Sequence, residues 1–301
     1  MISQDAFIKK VSNKKQNRQK CIVKILRFFN KYIPSKLNLD FSKTADYVYL
    51  TICRAADFDM VFASIYSLYK NSDLQPSKIV IVSDGSWEPN KGVIYFRNRG
   101  VDVEAISWVF CAAYYHESCS QLEKWANGHI WGKKMVAILY YSEFHKVLFS
   151  DPDILWYGTP LVKKELETCK LKLSIDNSHN YDSDCISFLH LDYLYERSEP
   201  INCGALFING GLSLLTKEAL SCITYESVHC GKFAEQTVFA LLDVNFDNRW
   251  SMNEITSEIS DMIQPFFSTT IHYEKMIARH YLWRLKWIYW KDYLLLRLGL
   301  K

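Results

Sequence analysis

Between residues 46 and 150 the chain alternates short apolar runs with longer amphipathic ones, and that alternation leaves few folds open. DYVYLTIC (46–53) reads as a strand, and DFDMVFASIYSLYKNS after it as a helix capped by Asp57. KIVIVSDG (78–85) is a second buried strand, PNKGVIYFRNRG a short helix closed by Gly100, and VDVEAISW (101–108) a third strand. A helix near Lys133 to Ser142 and the strand KVLFS (146–150) follow. Strands that alternate with helices imply a parallel α/β sheet with ligands at the carboxyl ends of its strands. The second half is more mixed. KLKLSID (170–176) and ALFING (205–210) read as strands, Asn177 to Pro200 as a polar loop, and SLLTKEALSCI and AEQTVFALLDV as helices. The expected class is therefore α/β, with a Rossmann-like, mostly parallel central sheet flanked by helices.

A chain of 301 residues, 49% of them hydrophobic, can bury a substantial core, which excludes a disordered protein. Its nine cysteines are odd in number and show no CxxC spacing, so neither a zinc cage nor a complete disulfide framework is expected, and a reducing setting is. No apolar run approaches the ~18 residues that span a bilayer, and MISQDAFIKK lacks the apolar centre of a signal peptide. The expectation is a soluble cytoplasmic protein or one peripheral to the inner face of the membrane. Residues 1–44 carry eleven Lys or Arg against Asp5 and Asp40, and the last thirty carry seven against Glu274 and Asp292, so two basic ends flank an acidic body. We divide the chain accordingly into a basic lead-in (1–44), a main domain (45–275) and a helical basic, aromatic C-terminus (276–301). That C-terminus, HYLWRLKWIYWKDYLLLRLGLK, suits either an anionic membrane surface or packing of its aromatic residues on a core. Nucleic acid is not expected as a partner, because the acidic body offers no continuous positive track.

Three Asp-x-Asp triplets occur: Asp57 with Asp59, Asp151 with Asp153, and Asp182 with Asp184. The first stands where a helix begins and the third in the polar loop, where capping and turn roles explain them. Only Asp151 and Asp153 follow an apolar strand and precede another apolar run, ILWY. Two charges at the rim of a core are costly without a partner, and a divalent cation such as Mg²⁺ or Mn²⁺ would supply one. Pro152 between them cannot donate to a ladder and marks the strand's end.

The segment KKMVAILYYSEFHKVLFSDPDILW, followed in order by INCGALFINGG (201–211), FAEQTVF (233–239) and His272 of TIHY, resembles nucleotide-sugar glycosyltransferases of the GT-A fold, most closely family 8. The resemblance covers roughly residues 45–275. It implies that Asp151 and Asp153 bind the metal, that Asp151 also touches the donor ribose, and that His272 completes the protein ligands. It places Lys134 at the donor phosphates or sugar, with Lys133 able to exchange roles, and Asp84 at the nucleotide base. Asn202 and Gly204 would line the sugar and acceptor side, and Glu235 and Gln236 would flank the reacting carbon. The chain departs from the family in having Glu235 where aspartate is usual. It also lacks the glycine and Lys-Pro-Trp that usually follow the late histidine, leaving His280 as an alternative ligand and Lys275 or Arg279 as alternative cations.

The expected function is metal-dependent transfer of a sugar from a nucleoside-diphosphate donor, a UDP-sugar foremost, to a hydroxyl of a saccharide or glycolipid, with retention if family 8 is the right relative. Two alternatives remain open. A sugar nucleotidyltransferase shares the sheet and the metal but needs a Gly-rich, Arg-Lys-containing loop where this chain has TICRAADFD. A catalytically silent membrane-surface protein with a GT-A body is the other.

Overall fold

The computed structural model describes residues 20–30, 41–257, 276–282 and 286–300, so His272 and Lys275 lie outside the described residues. Within these bounds the chain begins with helix α1 (residues 20–30). Strict alternation follows: β1 (Thr44–Cys53), α2 (Phe58–Asn71), β2 (Gln75–Ser83), α3 (Pro89–Arg97), β3 (Glu104–Ser107). Then come α4 (Trp108–Tyr114), α5 (Ser120–Gly128), α6 (Ile130–Phe144), β4 (Val147–Ser150), β5 (Ile154–Trp156) and α7 (Lys163–Thr168). The second half holds β6 (Leu171–Ile175), α8 (Ser183–Leu189), α9 (Leu194–Arg197), β7 (Ile201–Ile208), α10 (Lys217–His229) and α11 (Ala234–Phe246). Short strands β8 (Arg249–Trp250), β9 (Ile255–Thr256) and β10 (Ala278–His280), then α12 (Lys286–Arg297), complete it. The described residues group into two compact units, 41–257 with 276–280, and 20–30 with 281–282 and 286–300.

The first unit is built on a seven-stranded sheet of order β3-β2-β1-β4-β7-β6-β8. Strands β3, β2, β1 and β4 run parallel, as the alternation requires. β7 runs against both β4 and β6, and β8 runs with β6, so β7 alone is reversed. Period-2 alternation in β1 sends Val48, Leu50 and Ile52 into one apolar core and Tyr47, Tyr49 and Cys53 into another on the opposite face. Both faces are thus covered, one by α4, α5, α6, α10 and α11, the other by α2, α3 and α7. A smaller sheet, β5-β10-β9, lies on the second face.

Several local expectations are corrected. Asp57 does not cap α2; its carboxylate is taken by the Arg54 guanidinium at 2.9 Å. The third strand stops at Ser107, whose hydroxyl accepts from the Val109 N–H and starts α4. The stretch 177–200, read as a loop, contains α8 and α9, because the Asp182 side chain accepts from the Cys185 N–H at 2.7 Å and caps a helix there. β7 begins at Ile201, four residues before ALFING, so Asn202 and Gly204 are strand residues.

In the second unit the aromatic residues of α12 turn inward: Trp287, Tyr289, Trp290 and Tyr293 are all buried, the packing alternative for this segment. The side chain of Asn30 on α1 donates to the Trp290 carbonyl at 3.3 Å, Arg27 lies over the Trp290 ring, and Tyr281 donates to Asp292 at 2.8 Å. No helix among the described residues is long and apolar enough to cross a membrane.

The crossing of α5 with α6 sets where α6 begins, and it depends on Gly132. A Cβ there would stand 2.5 Å from the backbone nitrogen of Ala126 and the carbonyl oxygen of Trp125, neither of which can rotate away. Gly132→Ala is expected to lower stability by roughly 1–3 kcal/mol, read as a lower urea midpoint at unchanged slope. An unchanged midpoint would show that the helices are not in the close packing described.

Candidate active site

Two strand registers decide which residues meet at the carboxyl edge of the main sheet. β7 pairs antiparallel to β4 with Ser150 opposite Ala205, so the residues before Ala205 run on beside those after Ser150. The Asp151 N–H donates to the Gly204 carbonyl at 2.7 Å and ends that ladder. In the smaller sheet β10 pairs antiparallel to β5 with His280 opposite Ile154, which sets His280 next to Asp153. Asp151, Asp153 and His280 each offer one ligand atom, all within 4.8 Å of one another. His280 Nε2 stands 3.2 Å from an oxygen of Asp153 and 3.8 Å from one of Asp151.

The orientation of His280 is determined by Asn202. The Gly204 N–H donates to Asn202 Oδ1 at 2.8 Å, and Asn202 Nδ2 donates to Asp176 Oδ2 at 3.2 Å, so the amide cannot be flipped without breaking both bonds. His280 Nδ1 lies 3.0 Å from that same Oδ1 and must therefore carry a hydrogen, which turns Nε2 toward the two aspartates. Asp176 is held in turn by the Ser257 hydroxyl and the Asn177 N–H. Gly204 makes room for the ring, since a Cβ on it would overlap Cε1 and Nδ1 of His280. The Asn-x-Gly pattern is thus explained locally by the histidine it orients. Two carboxylate oxygens and an imidazole nitrogen with a fixed tautomer fit a Mn²⁺-class divalent cation.

Behind this group lies a second set of charges. Lys134, on the second turn of α6, is 4% exposed and lies 3.2 Å from Asp151 and 3.8 Å from Glu235 on the first turn of α11. Burial works against its ammonium, but Asp151 and Glu235 outweigh it and hold its pKa above the ordinary value. Burial pushes Asp151 upward despite Lys134 and His280, and Asp153 adds to the push. Glu235, 3% exposed, is raised by burial to about 7, and its Oε2 has no hydrogen-bond partner. One buried ammonium therefore faces two carboxylates, Asp151 and Glu235.

The remaining expected residues are placed as follows. Lys133 has partners different from those of Lys134: its Nζ donates to the Asp84 carbonyl at 2.8 Å and lies over the Trp108 ring. Asp84 ends β2, two strands from β4, where its side chain accepts from the Ser86 N–H. Gln236 is buried, with Nε2 donating to the Ile201 carbonyl at 2.7 Å, and it ties α11 to β7. Arg279 is buried on β10, but as the neighbour of His280 in a strand it points to the other side. His280 is the histidine that reaches the aspartates among the described residues; Asp176 was missed, although an aspartate ending a strand on the same edge is the signal that Asp151 gave.

No family model matches the sequence, and no curated protein matches it. Its structure is similar to that of mouse xyloside xylosyltransferase 1, at 10% identity over 78% of this chain and 97% of the other, with a TM-score of 0.48. It is also similar to the galactosyltransferase LgtC, at 14% identity over 78% and 87% of the two chains, with a TM-score of 0.46. A third similarity is to the mannosyltransferase Ktr4p of S. cerevisiae in complex with GDP, at 11% identity over 78% of each chain and a TM-score of 0.42.

The burial of Glu235 makes stability depend on pH with a definite sign. Between its ordinary 4.5 and about 7 the folded chain keeps a proton that the unfolded chain releases, so this group's contribution falls as pH rises through that window and levels off above it. At about 1.4 kcal/mol per pKa unit the loss is of the order of 3 kcal/mol. In urea denaturation of the metal-free protein, Glu235→Gln is expected to gain on the natural chain between pH 5 and pH 8 by up to that amount. Parallel pH profiles for the two chains would contradict the buried placement.

Proposed function

We propose that this chain is a GT-A glycosyltransferase that uses a nucleoside-diphosphate sugar, UDP-linked foremost, with Mn²⁺ or Mg²⁺ held by Asp151, Asp153 and His280. The observation that carries the reading is the meeting of an aspartate pair and a tautomer-fixed histidine at the carboxyl edge of a parallel sheet. When bound, the cation supplies positive charge to a departing diphosphate. Asp151 and Asp153 hold it from β4, and His280 does so from β10. Asn202 keeps the histidine turned, and Gly204 leaves the ring its space. Lys134 sets a fixed positive charge behind Asp151, where donor phosphate or sugar oxygens can approach it. Glu235 is placed to hold an acceptor hydroxyl or to stabilise positive charge on the sugar as the donor bond breaks. Asp84 serves the nucleotide base from the end of β2, and Gln236 acts by fixing the start of α11. A hydroxyl of a saccharide or glycolipid is the acceptor, and retention of configuration follows from the family 8 resemblance.

A sugar nucleotidyltransferase is disfavoured by the segment after β1, where Arg54 and Asp57 pair with each other in place of a Gly-rich phosphate loop. For peripheral contact with an anionic membrane, α1 supplies the better surface, since Ile25, Phe28 and Phe29 are exposed among Lys20, Lys24 and Arg27.

The test is a screen of donor hydrolysis and transfer across UDP-, GDP- and CMP-sugars with Mn²⁺, alongside thermal stability with nucleotide and metal together. One donor class should be turned over and its nucleotide should raise Tm only with Mn²⁺. Asp153→Ala should lower turnover by roughly a hundredfold or more with the fold intact. His280→Ala should weaken the Mn²⁺ requirement's half-saturation by about tenfold or more. Normal turnover in Asp153→Ala would refute the assignment, and no thermal response to any nucleotide with Mn²⁺ would favour the silent binding protein.

A further inference from the structure

A second group of metal-binding side chains lies away from the site above, between α8 and α10. Cys222 and Glu226 are four residues apart on α10 and so share one face of that helix. Cys185 on α8 meets them there, with its Sγ 3.2 Å from that of Cys222. One atom from each of the three lies within 4.8 Å of the other two, and all three side chains are fully buried. Glu226 Oε2 accepts from the Gly231 N–H at 2.6 Å, while Oε1 has no hydrogen-bond partner. A second buried carboxylate, Asp182, crowds the same glycine: a Cβ on Gly231 would overlap Asp182 Oδ2 and stand 3.1 Å from Glu226 Oε2. Among the described residues no Lys or Arg forms an ion pair with Glu226 or Asp182. Two carboxylates and two soft sulfurs therefore converge in the core, where negative charge is costly unless a proton or a cation offsets it.

We infer that Cys185, Cys222 and Glu226 bind a zinc-class divalent cation in a structural site that staples α8 to α10, with water in the fourth position. Thiolate ligands select a soft or borderline ion, unlike the oxygen-rich set at Asp151 and Asp153. A tetrahedral ion with metal–sulfur bonds of about 2.3 Å sets its sulfurs roughly 3.8 Å apart, so binding would spread the two by rather more than half an ångström from the 3.2 Å seen here. Binding displaces the two thiol protons to water, and burial means that the ion enters as the chain folds. The absence of a CxxC pattern is no obstacle, because one sulfur comes from each helix and the third ligand follows on α10. Neither the glycosyltransferase reading nor its residues are involved, so the two stand or fall separately.

The test is metal analysis of the full chain purified without chelator, together with refolding in Co²⁺. The natural chain and the Asp151→Ala/Asp153→Ala variant should both retain about one zinc per chain, and Cys222→Ser should retain less than a tenth of that. Cobalt in the natural chain should show thiolate-to-metal charge-transfer absorption in the near ultraviolet, weakened by about half in Cys185→Ser. The natural chain's cobalt spectrum decides the matter even if a variant fails to fold. A natural chain free of zinc whose cobalt shows no such band would overturn the proposal. So would full zinc retention in Cys222→Ser, or a thiol titration of the denatured chain that falls two short of the nine cysteines because Cys185 and Cys222 are joined.

Discussion

An excess of negative charge at the dry end of β4 is the constraint on which the rest of the site depends. Asp151, Asp153 and Glu235 are within reach of one ammonium, Lys134, and one imidazole, His280. Desolvation makes each unpaired charge expensive, so Glu235 holds its proton near neutrality and Asp151 is pushed the same way. On the proposed reading, a divalent cation with its bound diphosphate would change that balance. The cost carried by the metal-free protein is thus the same feature that gives a cation and its anionic ligand a reason to bind there.

The fold supplies this arrangement through pairing register more than through loops. One reversed strand, β7, brings Asn202 and Gly204 alongside Asp151, and one antiparallel pair in the small sheet brings His280 alongside Asp153. A slip of one residue in either register would turn the relevant side chain to the opposite face. The helices contribute their N-terminal halves, with Lys134 from α6 and Glu235 from α11. Chain segments far apart in sequence are held together by backbone ladders, and a metal site demands placement within about 0.5 Å.

Much of this was legible in the sequence, and the parts that were not share a cause. The alternation from DYVYLTIC to KVLFS carries the parallel half of the sheet, and the flanking apolar runs single out Asp151 and Asp153 from the other two acidic triplets. Those are signals of local period and burial. Asn202 and His280 lie 78 residues apart, and their meeting with the aspartates depends on two strand pairings, which no local pattern encodes. The resemblance assigns Asn202 and Gly204 to the sugar side, and the fold adds a contact that the pattern does not announce, their hold on the histidine. The stretch after Asn177 has the composition of a loop, and the Asp182 cap on the Cys185 N–H is what makes it a helix start. In α12, charge and aromatic content alone could not separate a core-facing helix from a surface one; burial of Trp287, Trp290 and Tyr293 does.

The central claim is a single ion between the end of β4 and the end of β10. Anomalous diffraction from crystals grown with Mn²⁺ and UDP, collected on both sides of the manganese edge, tests it most directly. The account predicts one strong peak within about 2.0–2.4 Å of a carboxylate oxygen of Asp151, one of Asp153 and Nε2 of His280, with diphosphate oxygens completing its shell. Manganese elsewhere on the protein, or Asp151 and Asp153 left in their contacts with Lys134 and His280 while nucleotide binds without metal, would contradict it.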